Sequence, residues 1–209
     1  MGVEEAVESL EDGEPVLLYD MDGREEETDM VLPASETSWE DVRTLRNDAG
    51  GLVCAAIPRH AAESHGLPLL DDLYNGKEFH GGSPGYGSRS SFSVTVNHRS
   101  TYTGVTDRDR ARTIRKLAEA VREPSSIDFS EEFRAPGHVH VLRAAENLLE
   151  DRQGHTELSL ELMRRTTLPD AAVVTEMLDD GNGKALSREK AERYAERNGL
   201  VFLEGEDLL

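Results

Sequence analysis

The residues best suited to chemistry gather in one acidic run, Asp20-Met21-Asp22-Gly23-Arg24-Glu25-Glu26-Glu27-Thr28-Asp29. Carboxylates packed this closely raise their own electrostatic energy unless a cation or an arginine offsets it. Hard oxygen donors of this kind suit Mg2+. The run directly follows PVLLYD, residues 15–20, an apolar stretch that reads as a buried strand. Loops at the ends of strands are where rigid scaffolds carry active sites. In a chain this acidic, the same run also fits plain solvated surface.

Four further clusters carry chemistry. In Arg152-Gln153-Gly154-His155-Thr156-Glu157, a helix starting near Gly154 would turn its free N–H groups toward an anion. Arg152 and Thr156 add donors for a phosphate, and His155 can ligate a metal or move a proton; a simple helix cap fits as well. His138 and His140, in Pro136-Gly137-His138-Val139-His140, share one face of a strand. No second Cys or His cluster stands at familiar spacing, so zinc is not expected. Thr101 to Arg110 sits between a strand and a helix start, either a ligand loop or a capped turn. Glu176 interrupts the apolar stretch AAVVTEML, residues 171–178; a carboxylate there costs free energy unless it is paired, functional or turned to solvent. The glycine loop at residues 81–88 has neither a GK[ST] ending nor a GxGxxG pattern, so neither nucleotide motif is present.

The elements that must position these groups alternate without a strict βαβ rhythm. Helices are predicted over residues 3–11, from Ser38 to Asn47, over 107–121 behind a Thr106 cap, from Gly154 past Met163, and from Ser187 to Asn198 with Gly199 as the stop. Strands are predicted at 15–20, at MVLPA, and at 51–58, 92–98, 137–144, 171–178 and LVFLE. No composition break marks a linker, so residues 1–209 read as one α+β domain, with an α/β sandwich built on a mixed sheet left open.

Composition narrows the partners. With 42 acidic against 23 basic residues, a net charge of -19 repels nucleic acid and anionic membranes. Excess Asp and Glu coincide with only four lysines, Lys77, Lys116, Lys184 and Lys190, which points to adaptation to a salt-rich cytoplasm. A single cysteine, Cys54, fits a reducing compartment. No apolar run of about 18 residues exists to cross a membrane, and the acidic N-terminus has no signal core. A cytoplasmic protein is expected.

Taken in order, these blocks resemble the 3,4-dihydroxy-2-butanone 4-phosphate synthase family from about Val16 to the C-terminus. The acidic run follows that family's D-x-x-x-R-E-x-E-x-D form through Asp20, Arg24, Glu25, Glu27 and Asp29. GLVC at 51–54, FSVTV at 92–96, TGVTDRDRARTI at 103–114, PGHVHVLRA at 136–144, RQGHTE at 152–157 and VTEMLDDG at 174–181 resemble its later blocks. The resemblance implies conversion of ribulose 5-phosphate to a four-carbon ketose phosphate and formate, by a homodimer with sites at or near the subunit interface. It implies Glu25 and His155 as ligands of Mg2+ or Mn2+, two ions per site. It places Arg24, Glu25, Asp29, Cys54, Thr106, Glu176 and the loop of Arg152, Gln153, Gly154, His155 and Thr156 around the substrate. Asp20, Glu27, His138 and Glu176 match positions tied to proton transfer, and His138 is expected to pair with Glu176. Thr28 stands where the family usually has Gly, Gly23 where Asp is common, and Ala135 looks inserted. A metal-dependent sugar-phosphate isomerase or aldolase, or a decayed binding module of the same fold, are the alternatives.

Overall fold

A computed structural model describes residues 2–82 and 89–209, so most of the glycine loop at 81–88 lies outside the described residues. The strands are β1 (Val16–Tyr19), β2 (Thr28–Pro33), β3 (Cys54–Ile57), β4 (Phe92–His98), β5 (Phe133–Arg143), β6 (Ala172–Glu176), β7 (Leu178–Asp179), β8 (Lys184–Ala185) and β9 (Val201–Glu204). The helices are α1 (Val3–Glu11), α2 (Trp39–Asp48), α3 (Arg59–Ser64), α4 (Leu70–Tyr74), α5 (Asp107–Arg122), α6 (Phe129–Glu132), α7 (His155–Met163) and α8 (Arg188–Asn198). The capped helices start where their side chains dictate. Ser38 accepts from Asp41 N–H at 3.2 Å ahead of α2, and Thr106 accepts from Asp109 N–H at 3.1 Å ahead of α5. Gly199 ends α8 with a φ of 66°, the left-handed turn that glycine takes without a Cβ clash.

Seven strands form one sheet in the order β4-β5-β3-β6-β2-β1-β9, and β7 with β8 makes a separate two-stranded ribbon. β1–β9 and β3–β5 pair parallel and the remaining neighbours antiparallel, so the sheet is mixed. Central strands such as β1, β2 and β3 are buried throughout. That explains why they read as apolar runs rather than as alternating patterns.

Side-chain alternation divides the interior in two. Leu17, Met30, Ile57 and Val173 pack with α2 and α5 on one face of the sheet. Leu18, Val31, Ala56 and Val174 pack with α1 and α7 on the other. Helices cover both faces, which makes the architecture an α/β sandwich within the predicted single α+β domain. Helix α7 is buried nearly all round, from His155 to Met163, with Glu161 the one half-exposed position. This leaves it without a polar stripe, which is why its pattern fixed the start better than the faces.

Two sequence expectations change. Strand β5 begins at Phe133, four residues ahead of Gly137. It pairs Phe133 with His98 and Arg134 with Asn97, then breaks register before Val139 meets Val96. Residues 135–138 form that bulge, so Ala135 extends an irregular segment rather than shifting a regular strand. Thr28 sits in β2 opposite Tyr19, in extended backbone. The left-handed residues of the acidic loop are Gly23 (φ 80°) and Glu26 (φ 57°), so no glycine is required at 28.

Helix α7 carries His155 and is anchored by Leu162, which has no exposed surface. Leu162→Ala is expected to destabilise the protein by about 2–5 kcal/mol in denaturant unfolding. A loss below about 1 kcal/mol would show that α7 is not held by this core.

Candidate active site

Asp20 leaves the end of β1 with no exposed surface and organises the acidic loop around itself. One of its oxygens accepts from Arg24 Nη1 at 2.9 Å and from the Glu25 amide at 3.1 Å; the other accepts from the Glu27 amide at 3.0 Å. A charge buried this deeply is tolerable only with such partners. The loop is thereby wrapped about a carboxylate whose lone pairs are engaged. Proton transfer to substrate, the role the resemblance gave Asp20, suits a group this deeply buried less well than holding the loop does.

Wrapping the loop delivers Glu25 to α7. Arg24 Nη1 also donates to Glu25 Oε2 at 2.7 Å. His155 Nδ1 stands 3.6 Å from that same oxygen and 3.5 Å from Asp29 Oδ1. Asp29 comes from β2 and faces Glu176 across the β2–β6 pair. Glu25, Asp29, Cys54, Arg152, His155, Thr156 and Glu176 line one cleft, together with Ser90, Ser91, Phe92, Leu142 and Val174. The sequence reading missed Ser90 and Ser91; two hydroxyls between a glycine loop and a strand were the available signal.

The N-terminus of α7 closes one side of the cleft. Gly154 precedes it as N-cap, and a Cβ there would fall 2.3 Å from Arg152 Nη1 and 2.7 Å from Arg24 Nη2. Two guanidiniums therefore converge on the space beside Gly154, and a larger residue there would have to push them aside. Arg152 Nη1 is held at 2.5 Å by Glu157, a buried carboxylate that also accepts from the Ala145 amide at 3.0 Å. Helix dipole and guanidiniums together make this a place for a phosphate.

Asp20, Arg24, Glu27 and Gly154 stand behind the lining, and three more predicted residues lie apart from it. Gln153 is exposed on the loop, and Thr106 spends its hydroxyl on capping α5. His138 is exposed, and its ring meets Asn97 at 3.1 Å. Cys54 pairs with His140 on one side and Val174 on the other, so β3 lies between the strands that carry His138 and Glu176. The expected His138–Glu176 pairing is not formed, because one strand position separates them laterally.

The electrostatics follow from burial among like charges. Burial, with Glu176, Glu27 and Glu25 nearby, lifts Asp29 to about 7 despite His155. Burial followed by the charge of Glu176 also raises Glu27. Burial alone would lower His155, but Asp29, Glu25 and Asp20 outweigh it and lift the imidazole to about 9. Burial works against ionisation of Glu25 too, yet His155 and Arg24 bring it down to about 2. Burial raises the Cys54 thiol, as do Glu176 and Asp29, so it is no thiolate nucleophile.

The donor set suits a divalent metal. One ligand atom each from Asp20, Glu25 and His155 lies within 4.8 Å of the others. Asp29 Oδ1 and His155 Nε2 are buried with no hydrogen-bond partner among the described residues. Since Asp20's oxygens are engaged by the loop, Glu25 and His155 are the better ligands of the three.

A family model described as 3,4-dihydroxy-2-butanone 4-phosphate synthase matches residues 4–209. The chain belongs to the 3,4-dihydroxy-2-butanone 4-phosphate synthase family. The synthase of that name from Methanosarcina mazei is 46% identical, over 99% of this chain and 89% of its own. The riboflavin biosynthesis protein RibBA of Staphylococcus epidermidis is 31% identical and is matched over 47% of its length. A solved 3,4-dihydroxy-2-butanone 4-phosphate synthase in complex with two magnesium ions superposes with a TM-score of 0.85 at 27% identity, covering 100% of this chain and 94% of that one. The chain is thus an enzyme of this synthase family.

In the metal-free protein, His155 is expected to titrate near pH 9 by NMR. A histidine whose value rises on folding stabilises fully below about pH 6.5, and that contribution is lost as pH climbs through about 9. His155→Gln should therefore flatten the alkaline fall in stability. Titration at the ordinary histidine value would refute the charged cluster.

Proposed function

We propose that the chain converts D-ribulose 5-phosphate to L-3,4-dihydroxy-2-butanone 4-phosphate and formate. The observation that carries this reading is the meeting of Glu25, Asp29 and His155 in one cleft with the arginine-flanked N-terminus of α7. Glu25 and His155 would hold Mg2+, with Mn2+ a chemical substitute. The similar solved synthase is in complex with two magnesium ions, in keeping with two ions at this site. When bound, the metal supplies Lewis acidity toward vicinal substrate oxygens.

The protein's own groups do the rest. Arg152, Thr156 and the free amides of α7 bind the substrate phosphate, and Arg24 and Asp29 orient the sugar hydroxyls. Glu27, half-buried and raised by its neighbours, is the base for the C3 proton that starts enolisation. Glu176, at the end of β6, takes part in the later proton movements of dehydration and formate release, with His138 on the strand beyond β3. Asp20 keeps the loop in place and touches no substrate.

Two further readings accompany this one. Tyr102 is 96% exposed and Val105 54%, on the loop that carries Thr106. A second copy of the chain would cover this apolar surface, as a homodimer with sites at its interface requires. The net charge of -19 with few lysines fits work in a salt-rich cytoplasm.

The purified protein should release formate from ribulose 5-phosphate in the presence of Mg2+ and stop when EDTA is added. Glu25→Gln should lose roughly 100-fold or more of that activity while its circular dichroism is unchanged. Formate release insensitive to EDTA would sink the metal assignment; turnover without formate would favour an isomerase or aldolase. For the acidic surface, the melting temperature should climb as KCl is raised toward about 1 M, since screening relieves self-repulsion. A flat salt profile would argue against salt adaptation.

A further inference from the structure

The bulge that breaks β5 puts His138 against Asn97 of β4, and four contacts fix how the two meet. The His138 backbone N–H donates to Asn97 Oδ1 at 2.8 Å. Asn97 Nδ2 donates to the Thr103 carbonyl at 3.4 Å. The ring nitrogen Nδ1 of His138 lies 3.1 Å from Asn97 Nδ2 and 3.3 Å from Oδ1.

An amide side chain is ordinarily ambiguous, because its oxygen and nitrogen look alike. Here two backbone groups settle it. A backbone N–H can only donate, so the atom facing it is the oxygen; a carbonyl can only accept, so the atom facing it is the nitrogen. Both requirements give the same orientation. With one Nδ2 hydrogen directed to Thr103, the second is free for the nearer ring nitrogen. A protonated Nδ1 could reach Asn97 Oδ1 at 3.3 Å only with the Nδ2 donor closer at 3.1 Å, so the geometry favours an accepting Nδ1 with the ring proton on Nε2.

The surroundings are shaped for this pair. Gly104, at φ 88°, would place a Cβ 2.1 Å from Asn97 Nδ2, and a Cβ on Gly137 would strike the Val96 carbonyl carbon at 2.0 Å. Both glycines let the loop and the bulge close onto Asn97.

We propose that Asn97 is a positioning residue that locks His138 in the Nε2–H tautomer, so that the ring presents a hydrogen-bond donor, and not a base, to a substrate oxygen. This rests on the reading that His138 serves the synthase reaction. A donor in that place stabilises negative charge as it develops on oxygen, as neutral histidine does in other enolising enzymes.

Long-range proton–nitrogen NMR of histidine-labelled protein, at alkaline pH where the ring is neutral, tests the lock without any turnover. His138→Gln identifies the signals. In the unsubstituted protein Nδ1 should be the bare nitrogen and Nε2 the protonated one. Asn97→Asp keeps the shape and the acceptor for the His138 amide but has no donor, so it should reverse the tautomer. Asn97→Ala should leave a mixture. Asn97→Asp should lose at least tenfold in kcat for formate release, with KM changed less than twofold, and Asn97→Ala should lose less, in proportion to the share of the other tautomer. A protonated Nδ1 in the unsubstituted protein, or no reversal in Asn97→Asp, overturns the lock. A reversed tautomer with unchanged kcat overturns its link to the reaction. If the unsubstituted protein shows the expected tautomer but makes no formate, the synthase reading fails, and the catalytic part of this proposal with it.

Discussion

Asp20 is a charged group with no surface in contact with water. Two backbone amides and a guanidinium supply it with the hydrogen bonds that water would have given. Meeting that requirement goes with a loop in which residues 24 to 27 bend back over the end of β1, so that both amides reach one carboxylate. The positive φ at Gly23 and Glu26 is the local cost of the path. This turn carries Glu25 to the foot of α7, where it meets the groups that the sheet and the helix supply.

The cleft then assembles from two directions. Strands β2 and β6 bring Asp29 and Glu176 side by side from the sheet. Helix α7 brings His155 from the covering layer, and its buried apolar side chains hold it down on that same face. Carboxylates gathered this way would repel one another were His155 and Arg24 not among them. The raised values of Asp29 and His155 and the lowered value of Glu25 express that balance.

Much of this was legible in the sequence, and the gaps have physical causes. Ser38, Thr106 and Gly199 announced helix ends because capping is a local matter of one side chain and its neighbours. Apolar runs announced β1, β3 and β6 because interior strands are buried on both sides. Strand order was not legible, since β3 lies between β5 and β6 through pairings far apart in the chain. For the same reason His138 and Glu176 read as partners when a strand's width separates them. The motif spelled out a carboxylate at Asp20, but not that both of its oxygens would be engaged by the loop. Short helices such as α3, α4 and α6 escaped because four to six residues hold too little periodicity to recognise.

The division of the interior by the sheet also bears on how such a chain can drift. Asp29, Cys54, Val174 and Glu176 all project to the α1 and α7 side, while Met30, Ala55 and Val173 project to the other. The layer built from α2, α3 and α5 shares a backbone with the cleft but none of its side chains. Mutations there can accumulate, or be selected for hardiness, while the geometry around His155 stays as it was. One half of the molecule is free to adapt to its environment; the other is bound to its chemistry.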